Sequence, residues 1–81
     1  MTQPNSYDLE IFNQIINEKL RQDAQNHKLT QESFKIAQNM METAKKKSAR
    51  DLRSIIVQLP KIFNENQDKS LKECLNLQIY L

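Results

Sequence analysis

The chain contains no glycine at any of its 81 positions. Glycine adopts positive φ most readily, so the tight primed turns of β-hairpins are hard to build without it. Proline, the other strong helix breaker, occurs only as Pro4 and Pro60. A chain that lacks both breakers over most of its length is expected to be helical. We therefore predict an all-α fold, a small helical bundle that forms a single domain over residues 1–81 with a frayed start at residues 1–6.

The first helix is predicted from about residue 7 to about residue 26, with Asn5 or Ser6 suited to cap its start. Its apolar residues recur at spacings of three and four, which places them on one face of a helix. That face consists of Leu9, Phe12, Ile16, Leu20 and Ala24. This helix is expected to be one arm of an antiparallel helical hairpin.

The second arm of the hairpin is predicted from about residue 31 to about residue 59. Thr30 is placed to cap its start, with Leu29 packing on Phe34 as a hydrophobic staple. The apolar phase is kept along the whole segment, which favours one long helix. The alternative is a break near Ser48, which is itself a good cap residue. The predicted core face consists of Phe34, Ala37, Met41, Ala44, Leu52, Ile55 and Leu59.

Pro60 is expected to end or kink this helix near residues 58–59, because its ring clashes with the preceding turn and it donates no hydrogen bond. Asp68 is then placed to cap a short carboxy-terminal helix that begins at Lys69. Leu71, Cys74 and Leu75 would share one face of that helix. From Leu75 to the end of the chain, apolar and polar residues alternate, which is the period of a strand. A helix is favoured there, and a strand stays open.

The sequence excludes several chemistries. Without glycine there is no phosphate-binding loop, no dinucleotide fingerprint and no calcium-binding EF-hand turn. The chain has one histidine, His27, and one cysteine, Cys74, which cannot build a zinc site within one chain. Asp23 lies four residues before His27, where the two are expected to form an exposed pair without acid–base function. We predict that the protein is no enzyme and uses no cofactor, metal or small-molecule substrate.

Two segments stand out as candidate binding surfaces. The first carries five positive charges and one negative charge over residues 45–53, in a chain of net charge +2. We call its cations the basic ridge: Lys45, Lys46, Lys47, Arg50 and Arg53. It is interpreted either as a solvated face, as a surface for an acidic protein, or as a surface that follows nucleic-acid phosphates.

The second segment is the apolar carboxy-terminal stretch from residue 71 to residue 81, in a chain that is otherwise hydrophilic. It either closes the core as a last helix or serves as a docking element for self-association or for a partner. We call its candidate contact residues the docking segment: Leu71, Leu75, Leu77, Ile79 and Leu81.

Apolar residues make up 38% of the chain, which gives a thin core and favours association with a second copy or a partner. The first functional interpretation is a non-enzymatic protein–protein interaction module that forms a homodimer, in the role of a small regulatory, adaptor or chaperone-like protein. The alternative is a small nucleic-acid-binding regulator that uses the basic ridge, and a structural subunit of a larger helical assembly is a third. No secretory signal or membrane span is recognised, so a cytoplasmic protein without membrane contact is expected.

Overall fold

The computed structural model describes residues 4–75, which form four α-helices and no strand. The all-α prediction is confirmed. The first helix packs against both the second and the third, and the short fourth helix lies against the first two. The elements in chain order are α1 (Ser6–Gln25), α2 (Gln31–Lys45), α3 (Ala49–Glu65) and α4 (Leu71–Leu75).

The boundaries of α1 agree with those predicted. The side chain of Asn5 accepts a hydrogen bond of 2.7 Å from the backbone N–H of Asp8, which makes it the N-cap. The helix ends at Asn26, and His27 then adopts a φ of 59°. This left-handed conformation is one that glycine usually provides, and in its absence an exposed histidine takes it.

The expected continuous helix from 31 to 59 is wrong, and the alternative break near Ser48 is right. α2 ends at Lys45, and α3 begins at Ala49. Ser48 caps α3 by accepting a hydrogen bond of 3.2 Å from the backbone N–H of Asp51. The helical spacing of apolar residues continues across the break because Ala44 and Leu52, on either side of the turn, are buried in the same core. This spacing therefore did not reveal the turn between α2 and α3.

The buried face of α2 also differs from the predicted one. Phe34 is 55% exposed and Met41 is only partly buried. Thr30 caps the helix as predicted, but through a reciprocal pair of hydrogen bonds with Ser33, which turns Ser33 toward the core. The buried face is turned by about half a residue, or about 50°, so that Ala37 and Ala44 stay buried. Its buried residues are Ser33, Ala37, Met40 and Ala44.

Of the two outcomes expected at residues 58–59, the helix end is wrong, because α3 continues through Pro60 to Glu65, and the kink stays a prediction. Pro60 lies on the exposed side, whereas Leu59 and Phe63 are buried on the core face one turn apart. An internal proline costs a helix about 3 kcal/mol. Burial of a phenylalanine side chain recovers about 1.5–3 kcal/mol, which accounts for the continued helix.

The core is a single cluster to which all four helices contribute. Within residues 4–75, no helix is long and apolar enough to cross a membrane. The buried apolar residues are Phe12, Ile16, Ala37, Met40, Ala44, Leu52, Ile55, Leu59, Phe63, Leu71 and Cys74.

Candidate functional site

An open groove with a volume of about 250 Å³ lies between α1 and the carboxy-terminal half of α3. Pockets for drug-sized ligands are about 300–1,000 Å³, so this groove suits one or two protruding side chains better than a free ligand. Ile15, Pro60 and Phe63 supply its apolar surface. The full lining, here called the α1–α3 groove, consists of Ile15, Glu18, Lys19, Gln22, Pro60, Phe63 and Asn64.

The lining of the α1–α3 groove is mostly apolar or neutral and includes two charged residues, Glu18 and Lys19. Val57, one turn before Pro60 on the same helix, is 62% exposed. Glu18 at the rim is already paired with Arg21, at a distance of 3.3 Å between Oε2 and Nη1. Lys19, the second charged residue of the lining, is paired as well.

A buried ion pair lies beside the groove. The Lys19 ammonium is 3.2 Å from Asp23 Oδ1, and both side chains are completely buried. Lys19 also donates a hydrogen bond of 3.0 Å to Gln22 Oε1 and lies 5.8 Å from the centroid of the Phe63 ring. Asp23 Oδ2 accepts a hydrogen bond of 2.8 Å from the backbone N–H of Leu71. The expected exposed pair of Asp23 with His27 is therefore wrong.

The end of α1 also anchors the loop that precedes α4. Three consecutive backbone carbonyls of this loop accept hydrogen bonds from α1 or from the turn that follows it. Lys19 donates to the carbonyl of Lys69, Lys28 donates to that of Asp68, and Asn26 donates to that of Gln67. These contacts set the position at which α4 begins.

The cap of α4 is Ser70, and the predicted cap at Asp68 is wrong. The Ser70 hydroxyl accepts a hydrogen bond of 3.2 Å from the backbone N–H of Glu73, and Glu73 Oε1 accepts one of 2.9 Å from that of Ser70. Hydrogen bonds from the backbone N–H and from the side chain of Ser70 to the Glu73 carboxylate, with a smaller contribution from Lys28, lower the pKa of Glu73. On the exposed side, Lys72 lies 2.7 Å from Glu32 of α2, and this contact raises the pKa of Lys72.

The apolar face predicted for the last helix is confirmed. Leu71 and Cys74 are completely buried, and Leu75 packs partly buried against the core. Burial raises the pKa of the Cys74 thiol. Of the docking segment, Leu71 is thus a core residue, and Leu77, Ile79 and Leu81 lie outside the described residues.

The basic ridge is divided by the break between α2 and α3. Lys45 pairs with Glu42 at 3.5 Å, and Arg53 pairs at 3.2 Å with Asp8, whose side chain is largely buried. The remaining cations make no ion pair with any residue in the range 4–75. They lie in or just after the turn: Lys46, Lys47 and Arg50.

Sequence reasoning missed Lys19 as a buried residue and misplaced Asp23 at the surface. A signal was present, since both share a helical face with Phe12 and Ile16, at spacings of three and four residues. The prediction gave more weight to the charges of Lys19 and Asp23 than to their helical spacing, because lysine and aspartate are rarely buried unless paired. No cluster of three metal-ligating side chains occurs between residues 4 and 75.

Comparisons with protein-family models, curated proteins and solved structures gave no match to this chain.

Proposed function

We propose that the protein is a non-enzymatic protein–protein interaction module that self-associates through the α1–α3 groove. The observation that carries this proposal is the combination of an apolar groove floor with the exposed Val57 beside it. Covering this face would remove the partly exposed surfaces of Ile15, Val57 and Pro60 from water, which is favourable in proportion to the apolar area.

A second copy of the chain is the occupant that fits this face. In a two-fold dimer the same surface of each copy meets the other, so Val57 of each copy lies close to the groove of its partner. The groove volume of about 250 Å³ accommodates such side chains. Covering the rim of the groove costs little desolvation free energy, because Gln22 and Asn64 are neutral and Glu18 keeps its contact with Arg21. A small domain with a thin core gains stability from such burial.

Val57→Lys is expected to abolish dimer formation, because it places a charge at the centre of the proposed interface. The measurement is the solution molar mass by light scattering over a wide range of protein concentrations. Val57 is 62% exposed, so the helix content of the variant should match that of the wild type.

Phe34→Lys is the matched control, since Phe34 is 55% exposed and lies on α2 outside the groove. It should leave the dimer intact. A wild-type protein that stays monomeric at every concentration would contradict the proposal, and so would a Val57→Lys variant that remains dimeric.

A nucleic-acid-binding regulator is the second candidate, supported by the three unpaired cations of the basic ridge. Lys46, Lys47 and Arg50 surround the start of α3, and they make no ion pair within residues 4–75. The first N–H groups of a helix add to the attraction for phosphate. No aromatic residue lies between these cations, so contact would be with the backbone rather than by base stacking.

Replacing Lys46, Lys47 and Arg50 together by glutamine should remove retention on duplex DNA or RNA. The slope of log affinity against log salt should fall by about one for each lost phosphate contact. The control variant replaces Lys35 and Lys61, two exposed lysines elsewhere, and should keep most of the binding. Absence of binding by the wild type at low salt would rule this candidate out.

A further inference from the structure

The segment from Asn66 to Leu75 is held in place by polar contacts of its loop and by the packing of α4 against α1 and α2. Its loop receives the three hydrogen bonds from Lys19, Asn26 and Lys28. The described part of its helix, α4, contributes the buried side chains Leu71 and Cys74. The segment is thus attached both through its loop and through these two side chains.

Most of the apolar core lies outside this segment. Of the eleven apolar residues buried within residues 4–75, Leu71 and Cys74 belong to the segment, and the other nine lie on α1, α2 and α3. Detachment of residues 66–75 therefore leaves most of the packing among the three longer helices in place. Segments with few buried apolar contacts open at a lower free energy than the core does.

The buried ion pair opposes detachment only weakly. Lys19 and Asp23 are both completely buried, and each contacts the backbone of the segment, at Lys69 and Leu71 respectively. Detachment exposes both charges to water, which recovers the free energy lost when they were desolvated. The pair thus specifies where the segment attaches and adds little to the barrier against release.

We infer that residues 66–75 form a lid that opens and closes as one unit, and that the Lys19–Asp23 pair fixes the position at which it closes. In the closed state Leu71 and Cys74 are buried and Leu75 is half-buried, so the apolar side of α4 is covered. Opening exposes these three side chains to a partner. The opening does not depend on the proposed function, which uses the α1–α3 groove.

Cys74 provides a direct readout of the lid, since it is the only cysteine and is completely buried on α4. The experiment measures the rate at which an aromatic disulfide reagent labels Cys74 in the full chain, as a function of urea concentration. Global unfolding is followed in parallel by circular dichroism. We expect labelling at low urea with a weak urea dependence, because local opening exposes much less surface than global unfolding does.

Labelling that follows global unfolding in both its free energy and its urea dependence would overturn the lid. The measurement is repeated at protein concentrations spanning those used for light scattering. A protein that never dimerises would refute the proposed function and leave the labelling result unaffected, so the two failures are distinguishable.

Lys28→Ala tests the attachment without touching the core. Lys28 contacts the carbonyl of Asp68 and lies 3.6 Å from Glu73. Its loss should speed labelling of Cys74 by about two- to tenfold, as for one lost hydrogen bond, while labelling keeps its weak dependence on urea. The matched control is Lys45→Ala, which removes an exposed lysine paired with Glu42 and should leave the labelling rate as it is. Equal labelling rates in the two variants would contradict the inference.

Discussion

Phe12→Ala is expected to lower the free energy of unfolding by about 3–5 kcal/mol, the range measured for buried phenylalanines in well-packed cores. Phe12 is completely buried on α1, the helix that packs against all three others. Its removal would leave a cavity where the helices meet, and a chain of this size has little stability to spare. Urea unfolding followed by circular dichroism measures the loss.

Phe34→Ala is the matched control, because it is the same substitution at a residue that is 55% exposed. The sequence pattern alone predicts a core position for both phenylalanines. We expect the loss at Phe34 to be a small fraction of that at Phe12. Similar losses at the two positions would mean that α2 is rotated as the sequence pattern predicts, and would contradict the described packing.

Asp23→Ala is expected to lower the free energy of unfolding by about 3 kcal/mol, at the low end of the range for breaking a buried ion pair. The substitution leaves the Lys19 ammonium buried without its counter-charge and removes the acceptor of the Leu71 N–H. The value lies at the low end because Lys19 keeps its hydrogen bonds to Gln22 and to the carbonyl of Lys69. Urea unfolding measures this loss too.

The double variant Lys19→Met, Asp23→Leu separates the cost of an unpaired charge from the value of the pair. Replacing both partners by apolar residues removes the unpaired charge and should restore part of the stability lost in Asp23→Ala, although the Leu71 N–H stays without its acceptor. Glu18→Ala is the control, because it breaks an exposed ion pair with Arg21 on the same helix and should have little effect. If Asp23→Ala were as harmless as Glu18→Ala, the pair could not be buried as described.

The positions of helices were readable from the sequence where a capping residue and an apolar phase agreed. Asn5 and Thr30 cap α1 and α2 as their residue types suggest. Where two local sequence signals disagreed, the prediction sometimes followed the wrong one. The apolar spacing predicted one helix from residue 31 to residue 59, but a new helix begins after Ser48. Pro60 predicted a helix end or kink, but α3 continues to Phe63, which is buried one turn further on.

The candidate site was much less readable than the helices. The α1–α3 groove combines residues of two helices that are far apart in sequence, and no local pattern marks Ile15 and Pro60 as neighbours. The sequence does not distinguish Val57 and Phe34 from buried apolar residues, and only the packing of the helices shows that they are exposed. Arg53 similarly appears as a free cation in the sequence, whereas the fold brings it to Asp8.

By itself, the sequence determined that this protein is helical, where most helices begin and which phosphate- or metal-binding motifs are excluded. These properties follow from residue types and short-range spacing, through glycine content, capping and helical period. Only the tertiary structure decided which side of α2 is buried, and that Lys19 and Asp23 lie inside. Burial of a charge depends on partners supplied by the distant loop before α4, and no local pattern carries that information.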